Sequence, residues 1–225
     1  MNPVLTRLLD DRTVPCPDGR ERPLHSDLPA AEGALLQHWL GEHPPVRLLE
    51  IGLAYGISTQ FICDAVADRT IDYYHVIDPH QAGQWHGAGI FNLERAGYRQ
   101  LITLYEELSE LCLPDLLRQG MSYDFAFVDG WHSFDQTLVE FFYINRMLEV
   151  GGIVVFDDVH LPALQKLLSY IATYRCYEPL ALPESIASSV QTRVRRIMSL
   201  PPMRLHGFRK VEEDRRDWDW FADFG

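Results

Sequence analysis

The chain has 225 residues, of which 47% are hydrophobic and 23% are charged, a composition typical of a globular protein with a large core. This composition excludes disorder, collagen and coiled coil. Twenty Lys and Arg against thirty-two Asp and Glu give a net charge of −12, which repels polyphosphate, so nucleic acid is not an expected partner.

The amino-terminal residues 1–27 contain Pro, Gly and charged residues without clean periodicity, which predicts an arm ahead of a single domain at 28–225. From residue 28, apolar residues recur at helical spacing until Gly41, Pro44 and Pro45 provide a stop signal. A helix followed by a turn is therefore predicted there.

Beyond that turn, short runs with β-branched or aromatic residues alternate with longer amphipathic stretches. The predicted strands lie at 46–53, 73–78, 101–105, 123–129 and 152–157. The predicted helices lie at 58–68, 90–96, 108–119, 133–148 and 161–174. This order is typical of an α/β fold with a doubly wound, mostly parallel sheet of about seven strands, which binds its ligand beyond the carboxyl ends of the strands.

The carboxyl-terminal part is less regular. Residues 179–202 include the basic residues Arg193, Arg195 and Arg196 and indicate a mobile connection or a short helix, followed by a last strand at 205–211. The chain ends in EEDRRDWDWFADFG, whose large aromatic side chains are expected to dock on the protein itself or on a second copy.

The cysteines and lysines narrow the class of protein further. Four scattered cysteines without a CxxC pair fit a reducing compartment, and no apolar run approaches the roughly 18 residues of a membrane span. We therefore expect a cytoplasmic protein without a membrane partner. Lys166 and Lys210 are the only lysines, which disfavours P-loop and lysine Schiff-base chemistry.

The first predicted strand runs into a glycine-containing loop, in the sequence LLEIGLAYGIST. Gly52 and Gly56 allow a sharp turn and a close approach by a ligand at the start of a helix. Ala54 breaks the G-x-G-x-x-G pattern of dinucleotide sites. Asp78 ends the second strand, where an acid binds ribose hydroxyls in doubly wound folds. The alternatives are a plain tight turn for the glycines and a helix cap for Asp78.

This E-I-G-x-x-x-G-x-S motif, followed by an acid at the end of strand two, resembles the class I S-adenosylmethionine-dependent methyltransferases. The resemblance implies that Glu50 lies beneath the methionine end of the cofactor and that Asp78 holds the ribose. Ser109 would lie near the adenine. The full set of cofactor-binding residues it implies is Glu50, Gly52, Leu53, Ala54, Tyr55, Gly56, Ser58, Asp78, Pro79, Ser109 and Asp129.

Acids and histidines also follow strands four and five, in YDFAFVDGWH and GGIVVFDDVH. The carboxylates of Asp129, Asp157 and Asp158 are expected to converge, and three crowded carboxylates repel one another unless a cation lies among them. Hard oxygen ligands favour Mg²⁺, Mn²⁺ or Ca²⁺. The alternatives are a helix cap for Asp157 or Asp158 and a backbone turn bound by Asp129.

The D-G-x-H and D-D motifs resemble metal-dependent O-methyltransferases of the catechol type and of the type that acts on sugar hydroxyls. That resemblance implies Asp129, Asp157 and Asp158 as metal ligands, and His132 with Asp129 as catalytic residues. Catechol-type enzymes carry a lysine near the base position, whereas this chain has Trp131 and His132 in that loop.

The leading hypothesis is an O-methyltransferase that uses S-adenosylmethionine and a divalent metal on a hydroxyl of a small molecule. The alternatives are a small-molecule N-methyltransferase, a non-catalytic S-adenosylmethionine-binding protein and a nucleotide-dependent oxidoreductase. Trp85, in the loop after strand two, is expected either to stack on a ligand or to pack within the loop. A homodimer is expected from the resemblance and the aromatic tail.

Overall fold

The computed structural model describes residues 1–188, 201 and 203–224. Its main sheet has seven strands and is mostly parallel, and helices connect the strands, so the predicted α/β class is confirmed. The chain divides into two compact units, Met1–Cys112 and Leu113–Gly225. The boundary predicted between an arm and a single domain at residue 28 stays a prediction.

The first unit contains three parallel strands in the order β5, β4, β3. These strands are β3 (Arg47–Ile51), β4 (Tyr73–Ile77) and β5 (Thr103–Tyr105). The helices are α2 (Ala30–Glu42), α3 (Ile57–Val66), α4 (Ala88–Ala96) and a 3-10 turn (Arg99–Leu101), and α5 (Ser109–Arg118) begins here. In the register, Ile51 lies opposite Ile77, so β3 and β4 end side by side. Their apolar side chains are buried, as expected of parallel strands.

The amino-terminal arm is more ordered than its sequence indicated. It forms helix α1 (Pro3–Asp11) and a hairpin of β1 (Thr13–Pro15) and β2 (Glu21–Pro23). The Asn2 side chain caps α1 by accepting from the amide of Val4, ahead of a proline at the first helical position. The Asn2 amide donates to Asp64 on α3, which ties the arm to the first unit.

The second unit contains four strands in the order β6, β7, β9, β8. These are β6 (Tyr123–Val128), β7 (Leu148–Phe156), β8 (Tyr177–Pro179) and β9 (His206–Lys210). Its other helices are α6 (Phe134–Met147), α7 (Pro162–Ile171) and α8 (Glu184–Ala187). Strands β6 and β7 are parallel with Val128 opposite Phe156, whereas β9 runs antiparallel to both of its neighbours.

The five predicted strand and helix pairs and the last strand are all present, with boundaries shifted by a few residues. The arm helix, its hairpin and β8 were not predicted, because three-residue strands and short helices carry too little periodicity. Strand β7 begins at Leu148 rather than 152, with Gly151 at a φ of 94° inside it. The basic residues at 193–196 lie outside the described residues, and α8 falls within the predicted irregular connection.

The aromatic tail packs on its own unit with part of its side chains. Trp220 and Phe224 both contact the ring of Tyr170, and the Arg216 guanidinium lies 4.5 Å from the Trp220 ring centroid. Trp218 and Phe221 are 97% and 80% exposed. Packing of the tail on its own unit therefore accounts for Trp220 and Phe224 but not for Trp218 and Phe221. The homodimer stays a prediction.

Two further features bear on the protein's environment. All four cysteines are buried free thiols. Among the described residues, no helix has the length and apolar character that a membrane crossing needs.

Helices α2 and α3 pack so closely that one position on α2 admits only glycine. A Cβ on Gly33 would lie 2.4 Å from Cζ of Phe61 and 2.5 Å from both Cε atoms of the same buried ring. This contact fixes the spacing between α2 and the helix that follows the glycine loop.

We predict that Gly33→Ala lowers the free energy of unfolding by about 1–3 kcal/mol, because overpacking outweighs the gain in helix propensity. Gly41→Ala, on the same helix with open space around the added methyl group, is the matched control and should be neutral or slightly stabilising. Urea unfolding of the two variants checks this. Equal unfolding midpoints for the two would contradict the packing argument.

Candidate functional site

The glycine loop joins β3 to α3 and contains three left-handed residues. Gly52, Ala54 and Gly56 have φ values of 95°, 46° and 77°. Glycine adopts such angles freely, whereas alanine incurs a cost of roughly 1–2 kcal/mol there. The loop therefore needs an external anchor to hold Ala54 in place.

Asp78 supplies this anchor. Its buried Oδ2 accepts hydrogen bonds from the amides of Leu53 and Ala54 at 3.0 and 2.8 Å. Its Oδ1 accepts a hydrogen bond from the amide of His80, in the turn that follows β4, at 2.8 Å. Asp78 is not a helix cap, since α4 starts only after Gly87. A carboxylate oxygen accepts more than one hydrogen bond, so Oδ1 keeps capacity for a ribose hydroxyl.

Gln81 and Gly89 complete the anchor, and sequence reasoning missed both. Gln81 Nε2 donates to the Ala54 carbonyl and to Asp78 Oδ2, at 2.9 Å in each case. A Cβ on Gly89 would lie 2.5 Å from the Ala54 carbonyl oxygen and 2.7 Å from Gln81 Oε1. The position of Gln81, three residues after an acid that ends a strand, was the only signal available in the sequence.

Glu50 lies at the end of β3 and is fully buried. Its carboxylate accepts from the Ser58 hydroxyl at 2.6 Å and from the Tyr74 hydroxyl in a short hydrogen bond. Burial raises the pKa of Glu50 to about 7, against the opposing effect of the two hydroxyl donors. Glu50 therefore joins β3, β4 and the first turn of α3, and it carries a proton more readily than an ordinary glutamate.

Tyr55, inside the glycine loop, is covered by the arm and by the loop after β4. Its hydroxyl lies 2.7 Å from Nε2 of His25, and the Trp85 ring packs edge-on at 5.0 Å between centroids. Of the two expectations for Trp85, packing within the first unit is therefore the one observed here. Ser109 is the buried first residue of α5, and its place near the adenine stays a prediction.

The acidic cluster follows the parallel strands β6 and β7. Because Val128 pairs with Phe156, the next residues Asp129 and Asp157 leave neighbouring strand ends together. One ligand atom from each of Asp129, His132 and Asp158 lies within 4.8 Å of the other two. Two carboxylates and an imidazole therefore converge on a volume that could hold a cation.

Asp157 is buried and stands apart from this group of three. Its Oδ1 accepts from the amide of Asp158 at 2.6 Å, and its Oδ2 lies 3.5 Å from Arg204. Of the metal ligands expected from the sequence, the structure brings together Asp129 and Asp158, with His132 beside them. The helix-cap alternative for the two aspartates is not observed, since α7 has Leu161 at its amino-terminal cap without a side-chain hydrogen bond.

His132 Nε2 lies 3.7 Å from Asp129 Oδ1 and 3.5 Å from Asp158 Oδ2, too far for strong hydrogen bonds. Burial lowers the pKa of His132, against the opposing effect of the Asp158 carboxylate. The imidazole is therefore mainly neutral at physiological pH and has a lone pair available to accept a proton or to bind a metal.

Arg204 also enters the cluster and was not foreseen from the sequence. Its Nη2 lies 2.5 Å from Asp158 Oδ1, and Nδ1 of His160 lies 3.6 Å from the same oxygen. Burial acts to lower the pKa of Arg204, but the carboxylates of Asp157 and Asp158 outweigh it and the pKa is raised. Only the antiparallel placement of β9 beside β7 brings this cation to the acids.

Comparisons with known proteins agree with this architecture. A family model described as a methyltransferase domain matches residues 49–159, which span the glycine loop and the acidic cluster. No curated protein has a sequence that matches this chain significantly.

Solved methyltransferases share the fold. The O-methyltransferase TomG from Streptomyces achromogenes, involved in tomaymycin synthesis and solved with SAM, has a TM-score of 0.68 at 18% identity over 94% of this chain and 91% of its own. SAH-bound PaMTH1 from Podospora anserina has a TM-score of 0.68 at 16% identity, covering 94% and 89%. An O-methyltransferase from Bacillus cereus in complex with SAH has a TM-score of 0.64 at 15% identity, over 82% of this chain and 83% of its own.

The fold and the matched domain together define the class of this protein. Residues 49–159 match a methyltransferase domain, and the chain has the class I fold that solved O-methyltransferases share. The fold expected from the E-I-G-x-x-x-G-x-S motif is thus confirmed. The cofactor and the roles of the individual site residues stay predictions.

The raised pKa of Glu50 predicts how stability depends on pH. The folded protein holds this proton up to about pH 7, whereas the ordinary pKa is 4.5, so the folded state is favoured less as pH rises between these values. We expect the stability of the wild type minus that of Glu50→Gln to fall by about 3 kcal/mol from pH 4.5 to 8. Urea unfolding at several pH values measures this difference, and parallel stability curves would contradict it.

The close packing of Gly89 on the glycine loop gives a second prediction. Gly89→Ala should weaken SAH binding about tenfold, because an added methyl group displaces the Ala54 carbonyl and the loop with it. Gly83→Ala, in the same connection but with open space around it, should bind SAH like the wild type. Calorimetric titration of SAH into each variant is the measurement, and wild-type affinity in Gly89→Ala would overturn the packing argument.

Proposed function

We propose that this protein is an O-methyltransferase that acts on a hydroxyl of a small molecule and uses a divalent cation together with S-adenosylmethionine. One observation carries the proposal: Asp129, His132 and Asp158 converge directly beyond β6 and β7. A methyltransferase that acts on an amine needs no such cluster, whereas a hydroxyl must lose its proton as its oxygen attacks the methyl carbon.

The first unit has the features that the cofactor requires. The loop backbone from Gly52 to Gly56 comes close to any ligand bound above it, and the first turn of α3 directs free amides toward the loop. Asp78 Oδ1 retains capacity for a ribose hydroxyl, and Pro79 follows it at the end of β4. Glu50 and Ser58 fix the base of the loop.

The donor atoms of the cluster suit a divalent cation. Carboxylate oxygens are the ligands preferred by Mg²⁺, Ca²⁺ and Mn²⁺. We assign Asp129 and Asp158 to the cation. Asp157 would serve as a third ligand through an oxygen that already contacts the Asp158 amide or Arg204.

His132 is assigned as the general base, with Asp129 beside it. When bound, a divalent cation lowers the pKa of a hydroxyl that it coordinates, and S-adenosylmethionine presents an electrophilic methyl group. The neutral Nε2 of His132 accepts the hydroxyl proton, and the lowered pKa of this imidazole keeps it available for the proton. Asp129 and Asp158 then stabilise the imidazolium that forms.

The surroundings of His132 favour a small acceptor with an apolar face. Trp131, directly before it in the chain, is 71% exposed, and its aromatic ring is open to a ligand. The net charge of −12 disfavours a nucleic acid acceptor. A product of a biosynthetic pathway is consistent with TomG, which takes part in tomaymycin synthesis. Cytoplasmic location, a homodimer and the absence of nucleic acid and membrane partners remain predictions.

Two alternatives use the same fold. A small-molecule N-methyltransferase would transfer the methyl group equally well in EDTA, and a non-catalytic S-adenosylmethionine-binding protein would bind SAH without turning over any acceptor. Metal dependence of turnover distinguishes both from the proposed enzyme.

The test combines binding with turnover. We expect SAH to bind with micromolar affinity, and SAH formation from S-adenosylmethionine to appear with a member of a panel of phenols, diols and sugars in Mn²⁺ or Mg²⁺ but not in EDTA. His132→Ala should lower this turnover by about 10² to 10⁴, because the base is lost, while the affinity for SAH is retained. His38→Ala, an exposed histidine on α2, is the control and should leave turnover unchanged.

Turnover that persists undiminished in EDTA would remove the metal from the proposal. An unchanged rate in His132→Ala would remove the base. SAH binding without turnover of any acceptor in the panel would favour the non-catalytic alternative.

A further inference from the structure

Arg204 is the one cation held among the carboxylates of the cluster in the described part of the chain. Its Nη2 contacts Oδ1 of Asp158 at 2.5 Å and lies 3.5 Å from Oδ2 of Asp157. These two oxygens belong to different aspartates, so the guanidinium bridges them. The other oxygen of Asp158, Oδ2, lies on the side of His132.

The backbone fixes Arg204 at this place. Strand β9 pairs with β7 so that His206 lies opposite Phe156, and the Val159 amide donates to the Arg204 carbonyl at 3.0 Å. The chain around Arg204 is thereby bound to both sides of the Asp157 and Asp158 pair. Its side chain is about one quarter exposed, so the guanidinium lies between the acids and the surface.

The charges of the cluster explain why such a cation is useful. The carboxylates of Asp157 and Asp158 both lie within 3.5 Å of the Arg204 guanidinium, and Asp129 converges with Asp158 on the other side. Arg204 compensates one of these charges. A divalent cation bound to Asp158 would therefore meet a positive charge already in contact with the same carboxylate.

We propose that Arg204 is a built-in counter-ion of the acidic cluster that competes with the divalent cation for Asp158 and thereby sets the metal affinity. This inference rests on the proposed function, since it requires that a divalent cation binds at Asp129 and Asp158. Arg204 stabilises the carboxylates when no metal is bound, and it makes metal uptake weaker and reversible.

The size of the effect follows from short-range electrostatics. A charge within about 4–6 Å changes the affinity of a carboxylate for a proton by roughly tenfold to a thousandfold, and a divalent cation responds at least as strongly. Removal of the guanidinium charge should therefore tighten metal binding by about tenfold or more.

The test is the affinity for Mn²⁺ alone, measured on the full chain without any methyl acceptor. Electron paramagnetic resonance of free Mn²⁺ gives the dissociation constant for the wild type, for Arg204→Gln and for Arg204→Lys. We expect Arg204→Gln to bind Mn²⁺ at least tenfold more tightly than the wild type. Arg204→Lys keeps the positive charge and should remain much closer to the wild type.

Arg209→Gln is the matched control, because it removes a charge from β9 at an exposed ion pair with Glu178. It should bind Mn²⁺ like the wild type. Thermal unfolding in EDTA is the second readout: Arg204→Gln should unfold at a lower temperature than the wild type, and Mn²⁺ should stabilise it more. If Arg204→Gln does not fold, Arg204→Met, of similar length and without charge, takes its place with the same expected result.

Equal or weaker Mn²⁺ binding in the uncharged variants would overturn the proposal and leave Arg204 as a residue that only orients Asp158. If neither the wild type nor the variants bind Mn²⁺, both the proposed competition by Arg204 and the proposed metal dependence are overturned. SAH binding and turnover in EDTA would then show that methyl transfer itself survives. The two failures are therefore distinguishable.

Discussion

Parallel strand pairing is the constraint on which the site depends. In the first unit, β3 and β4 end side by side, so the glycine loop and Asp78 leave the sheet together. In the second unit, β6 and β7 do the same for Asp129 and the aspartate pair. Side chains one or two residues beyond a buried strand therefore lie close to those beyond the neighbouring strand, whatever the conformation of the loops that follow.

The second constraint is the cost of burying carboxylates, which each acid meets in a different way. Asp78 accepts from backbone amides and thereby holds a loop in left-handed angles. Glu50 accepts hydrogen bonds from two hydroxyl groups, and its pKa is raised because it is buried. Asp158 contacts a guanidinium and keeps one oxygen on the side of His132. Each of these acids is thus stabilised by a different kind of partner: amides for Asp78, hydroxyl groups for Glu50 and a guanidinium for Asp158.

The amino-terminal arm packs on α3 and on the glycine loop of the first unit. Asn2 binds α3, and His25 reaches the hydroxyl of Tyr55 inside the glycine loop. A segment that lacks periodicity thus packs against the glycine loop. In the second unit, the tail places Trp220 and Phe224 on Tyr170, while Trp218 and Phe221 remain exposed.

The sequence by itself determined the α/β class, the five strand and helix pairs, the glycine loop and the acids that follow β4, β6 and β7. These features are local, because strand periodicity, glycine at a turn and an acid at a strand end are all read within about ten residues. Only the tertiary structure decided that Asp78 anchors the loop with Gln81 and that His132 joins Asp129 and Asp158 while Asp157 stands apart. It also decided that Arg204, two residues before β9, reaches the acids. Contacts between segments 24 to 47 residues apart depend on strand order and side-chain direction, and neither is encoded in a local pattern.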